Sequence, residues 1–196
     1  MTSLYLASQS PRRRELLRQI GVQVATLSVD VPEVHSALET PEQYVCRLAQ
    51  EKSQAGLQQV QAQLLMACPV LGADTIGVCE GQLLEKPRDE EDAVAMLMLM
   101  SGRTHLVHTA VALSTAERLE VRLVSTEVRF RRFDESRARR YWATGEAADK
   151  AGAYGIQGRG GALVEHINGS YSGVVGLPLA QTCELLDLFA VPYWQD

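Results

Sequence analysis

Apolar positions along the chain fall into two rhythms, short continuous runs and stripes recurring every three or four residues. Leu4–Ala7 is the first run and predicts a buried strand. Ser10-Pro11 follows as a cap with proline in the first helical turn, Leu16, Leu17 and Ile20 give that helix its apolar face, and Gly21 ends it. Residues 22–29 read as a second strand. Thr40-Pro41-Glu42-Gln43 spells a capping box that opens a helix striped with Val45, Leu48 and Ala49. Residues 70–78 predict a third strand. Asp89 caps a helix whose face carries Ala93, Met96, Leu97 and Met100, stopped by Ser101-Gly102. Residues 105–114 and 121–130 predict long antiparallel strands joined near 115–119, and residues 134–143 a short helix. A glycine-rich stretch at 152–161, a strand at 163–167 and a closing helix at 177–189 complete the pattern. No internal repeat and no low-complexity linker interrupts it. The expectation is one α/β domain over residues 1–196: a mixed twisted sheet with flanking helices, as two lobes around a central cleft.

Composition narrows the function classes. The 196 residues are 46% hydrophobic and 22% charged, which excludes disordered and fibrous chains. A chain of this mass buries roughly 70% of its unfolded surface, enough for a substantial core. Nineteen Lys and Arg against twenty-four Asp and Glu give a net charge of -5, so a surface that grips nucleic acid or an anionic membrane along its whole length is not expected. Any polyanion must bind locally. Cys46, Cys68, Cys79 and Cys183 form no CxxC pair, and they read as small buried hydrophobes in a reduced compartment. The apolar run near the start is too short for a signal peptide and nothing is long enough to span a membrane, so a cytoplasmic, soluble protein is expected, with a homodimer as the ordinary assembly.

Charged residues stand where stability alone would not place them. Ser8-Gln9-Ser10-Pro11-Arg12-Arg13-Arg14 puts three arginines at the positive end of a helix dipole, at a cost on the order of 0.3–1 kcal/mol each. An anion docked there reverses that cost, because serine hydroxyls, free N–H groups and guanidinium forks all present donors to a phosphate. Arg13 shares the side of the apolar stripe, whereas Arg14 faces solvent. Lys52 lies four residues after Leu48 and seven after Val45, on the apolar face of its own helix. It either snorkels past the helix end or reaches into a site. Asp74 sits within the otherwise apolar Val70-Leu71-Gly72-Ala73-Asp74-Thr75-Ile76, so its carboxylate must be paired, metal-bound or capping a turn. Glu33 in a loop is uninformative alone. Lys86, in Glu85-Lys86-Pro87-Arg88-Asp89, lies close to a helix start.

Eight of the fifteen glycines fall between Gly152 and Gly176, where tight turns or close approach of a ligand require them. Neither GxxxxGK[ST] nor GxGxxG occurs, which removes kinase and Rossmann readings. Gln157 offers a donor and an acceptor side by side on one amide, a pattern that can match the imide edge of uracil or thymine. Arg129, Arg131, Arg132, Arg137, Arg139 and Arg140 alternate with Phe130, Phe133, Tyr141 and Trp142. That run reads as a solvated strand edge and helix with its aromatics in the core; a single-strand binding surface is the rival. The four histidines show no ligand spacing.

Taken in order, Ser8 to Arg13, Glu33, Leu48-Ala49-Gln50-Glu51-Lys52, Gly72-Ala73-Asp74-Thr75, Glu85-Lys86-Pro87 and Asp149 to Gly158 closely resemble the Maf family. The resemblance covers about residues 4–189. It implies a nucleoside triphosphate pyrophosphatase, of a family also called septum formation inhibitors, with a two-lobed mixed α/β fold. Gly155-Ile156-Gln157-Gly158 is similar to the branch acting on dTTP and UTP. The resemblance implies Asp74 as the catalytic acidic residue and, with Glu33, as a ligand of Mg²⁺ or Mn²⁺. It implies Arg13, Lys52 and Lys86 on the triphosphate, with Ser8 and Ser10 beside them, and Arg12, Thr75 and Gln157 setting base specificity. The chain departs from the family pattern at Gln9, Pro32 and Gly77. Two other readings stand beside it: a non-catalytic nucleotide or nucleic-acid-binding regulator of division, and a pyrophosphatase clearing damaged purine triphosphates.

Overall fold

A computed structural model describes residues 2–194; the ends of the expected 1–196 domain, Met1, Gln195 and Asp196, lie outside the described residues. In chain order the elements are β1 (Leu4–Ala7), α1 (Pro11–Gln19), β2 (Val24–Leu27), α2 (Pro41–Ala62), β3 (Val70–Cys79), β4 (Gln82–Leu84) and α3 (Glu90–Met100). They continue as β5 (Thr104–Ser114), β6 (Leu119–Phe130), α4 (Glu135–Trp142), β7 (Val164–Asn168), α5 (Tyr171–Val175) and α6 (Leu179–Leu188). Two 3₁₀ turns, Ala151–Ala153 and Arg159–Leu163, occupy the glycine-rich stretch. The strands form one mixed sheet of order β2-β1-β3-β5-β6-β7, with β4 hydrogen-bonded to β3. β1 runs parallel to β2 and β3, whereas β3 and β4, and β6 and β7, pair antiparallel. The α/β expectation is met.

Helix starts follow the capping residues. Ser10, Thr40, Asp89 and Asp134 each stand in extended backbone with a side-chain oxygen accepting an N–H of the first turn, which satisfies donors that a helix start leaves unpaired. The second strand is shorter than expected, four residues in place of eight positions, because β1, the strand it pairs with, is itself four residues long and matches Val24–Leu27 one to one. Neither β4 nor α5 has a sequence signal. Each is too short to show a period, and β4 exists through its pairing with Gly77, Val78 and Cys79.

The chain separates into two compact units. The first comprises Met1–Asp74, Thr109–Val124 and Gly176–Asp196. In it β1 leads through α1 to β2 on one side and α2 returns the chain to β3 on the other. The carboxyl end of β1 is thus a switch point, the place where open α/β sheets bind ligands. Tyr5, Ala7, Leu27, Val60 and Val70 form a buried cluster under α2. The second unit comprises Thr75–His108 and Ser125–Val175. Its core packs Leu84, Val94, Leu97, Met100, Phe130, Phe133, Tyr141 and Tyr154.

Candidate active site

In the first unit the chain leaves β1 at Ala7 and turns through Ser8-Gln9-Ser10 into α1. Ser10 Oγ accepts the Arg13 N–H at 3.5 Å, and Ser8 Oγ accepts the Ser10 N–H at 3.2 Å. The Arg13 guanidinium folds back over this turn. Its Nη1 donates to Ser8 Oγ at 3.2 Å and its Nε to the Gly176 carbonyl at 2.8 Å. Burial pushes the Arg13 pKa below its ordinary value, while the negative charge of Asp74 works in the opposite direction. An arginine remains charged at neutral pH despite such a shift. Arg14 is exposed and Arg13 turned inward, as their helical positions predict, and Arg12 is partly buried.

Lys52 is the hub of the unit. Its ammonium donates to Asp74 Oδ1 at 2.6 Å and to Glu33 Oε1 at 2.5 Å. The side chains of Lys52 and Asp74 are 11% and 10% exposed, whereas Glu33 is 43% exposed and opens the cluster to solvent. Of the alternatives the sequence left for Lys52 and Asp74, the structure shows a lysine reaching inward and a carboxylate that is paired. Small residues make the reach possible. Ala49, Ser53 and Gly56 face the sheet at successive turns of α2, and a Cβ on Gly72 of β3 would overlap the Ala49 carbonyl and lie 2.5 Å from the Ser53 N–H nitrogen. Helix and strand therefore touch backbone to backbone. Ser53 Oγ, between the Val70 carbonyl at 2.7 Å and Ser114 Oγ at 2.6 Å, fixes the same contact.

A second clamp on α2 holds the segment after Glu33. Arg47 reaches Glu39 through Nε at 3.0 Å and Nη2 at 2.6 Å, and Nη2 also donates to the Val34 carbonyl at 3.0 Å. Hydrogen bonding to Arg47 lowers the Glu39 carboxyl to about 2. Arg47 also pairs with Glu51 one turn further along α2, at 3.2 Å, but the sequence gives no sign of the Glu39 contact, since residues 34–39 form no regular element.

The second unit holds the remaining predicted residues. Thr75 follows Asp74 on β3 and is partly buried. Lys86 is exposed in the segment between β4 and α3, and Gln157 is exposed between the two 3₁₀ turns. The Gly152 N–H donates to the Glu85 carbonyl at 3.1 Å, tying the glycine-rich stretch to the Lys86 segment. Glu146, which no local pattern singles out, and Tyr141, read from the sequence only as a core aromatic, bond to the backbone of the Gln157 loop. Two arginines of the run are held in ion pairs. Arg139 pairs with Glu90, Glu91 and Glu135, Arg129 pairs with Glu165, and Phe130, Phe133 and Tyr141 are buried. The aromatic platform a single strand would need is inside the core.

The chemistry available to the first unit is that of two carboxylates, an ammonium and a guanidinium beside a helix start. Glu33 and Asp74 converge on one positive centre, and hard oxygen donors of that kind suit Mg²⁺ or Mn²⁺, which take one or two carboxylates together with substrate phosphates. No helix among the described residues is long and apolar enough to cross a membrane.

Known proteins of similar sequence bear on this arrangement. The family model described as "Maf-like protein" matches residues 3–189. A dTTP/UTP pyrophosphatase of Saccharophagus degradans is 58% identical over 98% of this chain and 91% of its own length. Proteins of the same name from Salmonella typhimurium and Aliivibrio fischeri are 54% and 50% identical, over 96% and 95% of this chain and 94% and 97% of theirs.

Proposed function

The chain belongs to the Maf-like protein family, and from that premise we propose that it is a nucleoside triphosphate pyrophosphatase acting on dTTP and UTP. The relatives carrying that name match it over nearly their whole length. The observation that carries the reading is the Lys52 ammonium held between Glu33 and Asp74, in the same unit as Arg13 at the start of α1. A triphosphate needs positive charge and N–H donors, and hydrolysis needs a carboxylate that can take a proton.

The reaction is attack of water on the α-phosphorus. One water O–H breaks, a P–O bond forms, and the bond to the bridging oxygen breaks, releasing the nucleoside monophosphate and pyrophosphate. Asp74 takes the proton of the attacking water and orients its lone pair. Arg13 and Lys52 hold triphosphate oxygens and stabilise charge on the leaving pyrophosphate, the electrostatic contribution that dominates phosphoryl transfer. Lys86 adds a further cation on the same phosphates, Ser8 and Ser10 supply hydroxyl donors, and Arg12, Thr75 and Gln157 read the base; these roles rest on the family resemblance. Glu33 and Asp74 would hold a divalent ion, which when bound supplies Lewis acidity to the phosphoryl group and makes water more acidic. The protein is expected to work in the cytoplasm, as a homodimer.

Replacing Asp74 by Asn tests the assignment. Pyrophosphate release from dTTP in the presence of Mg²⁺ is expected to fall by about 10³-fold, with an unchanged circular dichroism spectrum. Turnover at the parental rate would remove Asp74 from the chemistry. A chelator should abolish the parental activity and added Mg²⁺ or Mn²⁺ restore it; full activity in the chelator would remove the divalent ion instead.

A further inference from the structure

Residues 155–161 contain four glycines, a composition that leaves a free chain many backbone conformations. In the fold this loop is held by side chains from outside it. Glu146 Oε1 accepts the Gly160 N–H at 2.9 Å and the Tyr141 hydroxyl at 2.8 Å, and Oε2 accepts the Arg159 N–H at 2.8 Å. Tyr141 Oη in turn accepts the Gly155 N–H at 3.0 Å. The backbone two residues before Gln157 and two and three residues after it therefore ends on a single carboxylate and phenol pair. The wrapping is close. A Cβ on Gly158 would overlap Glu146 Oε2, and one on Gly160 would lie 2.6 Å from Tyr141 Oη. Burial opposes ionisation of Glu146, but the Gly160 and Arg159 amides and the Tyr141 hydroxyl outweigh it and hold the carboxyl below its usual range.

We propose that Glu146, relayed to Gly155 by Tyr141, is a positioning residue that sets nucleobase discrimination by holding the Gln157 loop in one shape. The inference rests on the assignment of Gln157 to the base. A Gln side chain discriminates uracil or thymine from cytosine only while its amide stays in register with the imide edge, because turning or shifting it exchanges donor for acceptor. Four glycines cannot hold that register themselves. Glu146 supplies acceptors at both oxygens. A Gln at 146 would turn one of them into an amide donor facing an N–H, and a Phe at 141 would remove the acceptor of Gly155.

The test is the ratio of kcat/KM for dTTP to that for dCTP, two pyrimidine substrates with opposite donor and acceptor patterns at the base edge, which differ besides in the thymine C5 methyl. In Glu146→Gln and in Tyr141→Phe the ratio is expected to fall about tenfold, the scale of one misdirected bidentate contact, through a higher KM for dTTP more than through kcat. A variant that merely loses folded protein lowers both substrates by one factor and leaves the ratio where it was. Should Glu146→Gln fail to fold, Tyr141→Phe, which removes one hydroxyl, carries the same expectation. Gln157→Ala separates the two levels of the argument. A lowered ratio in Gln157→Ala with an unchanged ratio in the other variants overturns the role of Glu146 and keeps Gln157 on the base. An unchanged ratio in Gln157→Ala overturns the base-reading assignment and the positioning role with it.

Discussion

Lys52 connects stability to chemistry. Its ammonium is the partner of the buried Asp74 carboxylate and of the more exposed Glu33. Removing one partner of a buried pair strands the other charge, which costs about 3 kcal/mol. Lys52→Met is therefore expected to lower unfolding stability by that amount in urea, besides abolishing turnover, and adding Asp74→Asn should recover part of it, because the two changes share one interaction. Strictly additive losses would show that the pair is not coupled. Gly72 works at the same place by steric means. A methyl there would meet backbone of α2, which cannot swing aside like a side-chain tip, so Gly72→Ala should destabilise by roughly 2–3 kcal/mol and displace Lys52 from Asp74, read as a loss of both urea midpoint and kcat. Lys52 and Asp74 were legible in the sequence because each is a charge inside an apolar pattern. Glu33 was not, since an acid in an exposed loop looks like any other, and Arg47 and Glu146 act on backbone that no periodicity describes.

Elements long enough to show a period are where sequence and structure agree. α2 runs for 22 residues from Pro41, after its cap Thr40, whose hydroxyl accepts the Gln43 N–H at 3.3 Å while Gln43 Oε1 accepts the Thr40 N–H at 2.9 Å. Both halves of the capping box expected from Thr40-Pro41-Glu42-Gln43 are present. The two long strands and α3 likewise follow their patterns. What the sequence missed is held by tertiary contacts: three residues of β4 exist through pairing with β3, and the five residues of α5 follow a tight segment after β7. Thr40→Ala removes one side of the box and is expected to cost about 1 kcal/mol, seen as a lower urea midpoint at unchanged slope. KM should stay at its parental value, because Lys52 and Arg47 lie inside the helix and keep their packing.

The whole chain carries a net charge of -5, yet its basic residues are sorted: Arg13 and Lys52 stand among buried groups, whereas Arg129 and Arg139 are spent on surface glutamates. The same sorting governs how the protein responds to acid. Carboxylates that accept from arginines, the exposed Glu91 and the partly buried Asp92 and Glu120, have lowered pKa values, and the stability such groups add is present above their unfolded values and lost only as pH falls below about 4.5. His105 acts in a different window. It lies in the core of the second unit against Phe130, with Nε2 2.9 Å from the Tyr154 hydroxyl and Nδ1 without a hydrogen-bond partner. Burial pushes its pKa from 6.5 down to about 4. Between those values the unfolded chain takes up a proton that the folded chain refuses, so stability is retained above pH 6.5 and declines as pH falls toward 4. By pH 5 the loss is about 2 kcal/mol, roughly 4–8 °C in Tm for a chain of this length. Thermal melts at pH 7 and pH 5 check this, since most carboxylates stay ionised across that interval. Gln at 105 has no proton to gain and can still meet the Tyr154 hydroxyl, so His105→Gln should melt lower than the parent at pH 7 but lose much less between the two pH values. An equal loss in both proteins would place the acid sensitivity outside this core.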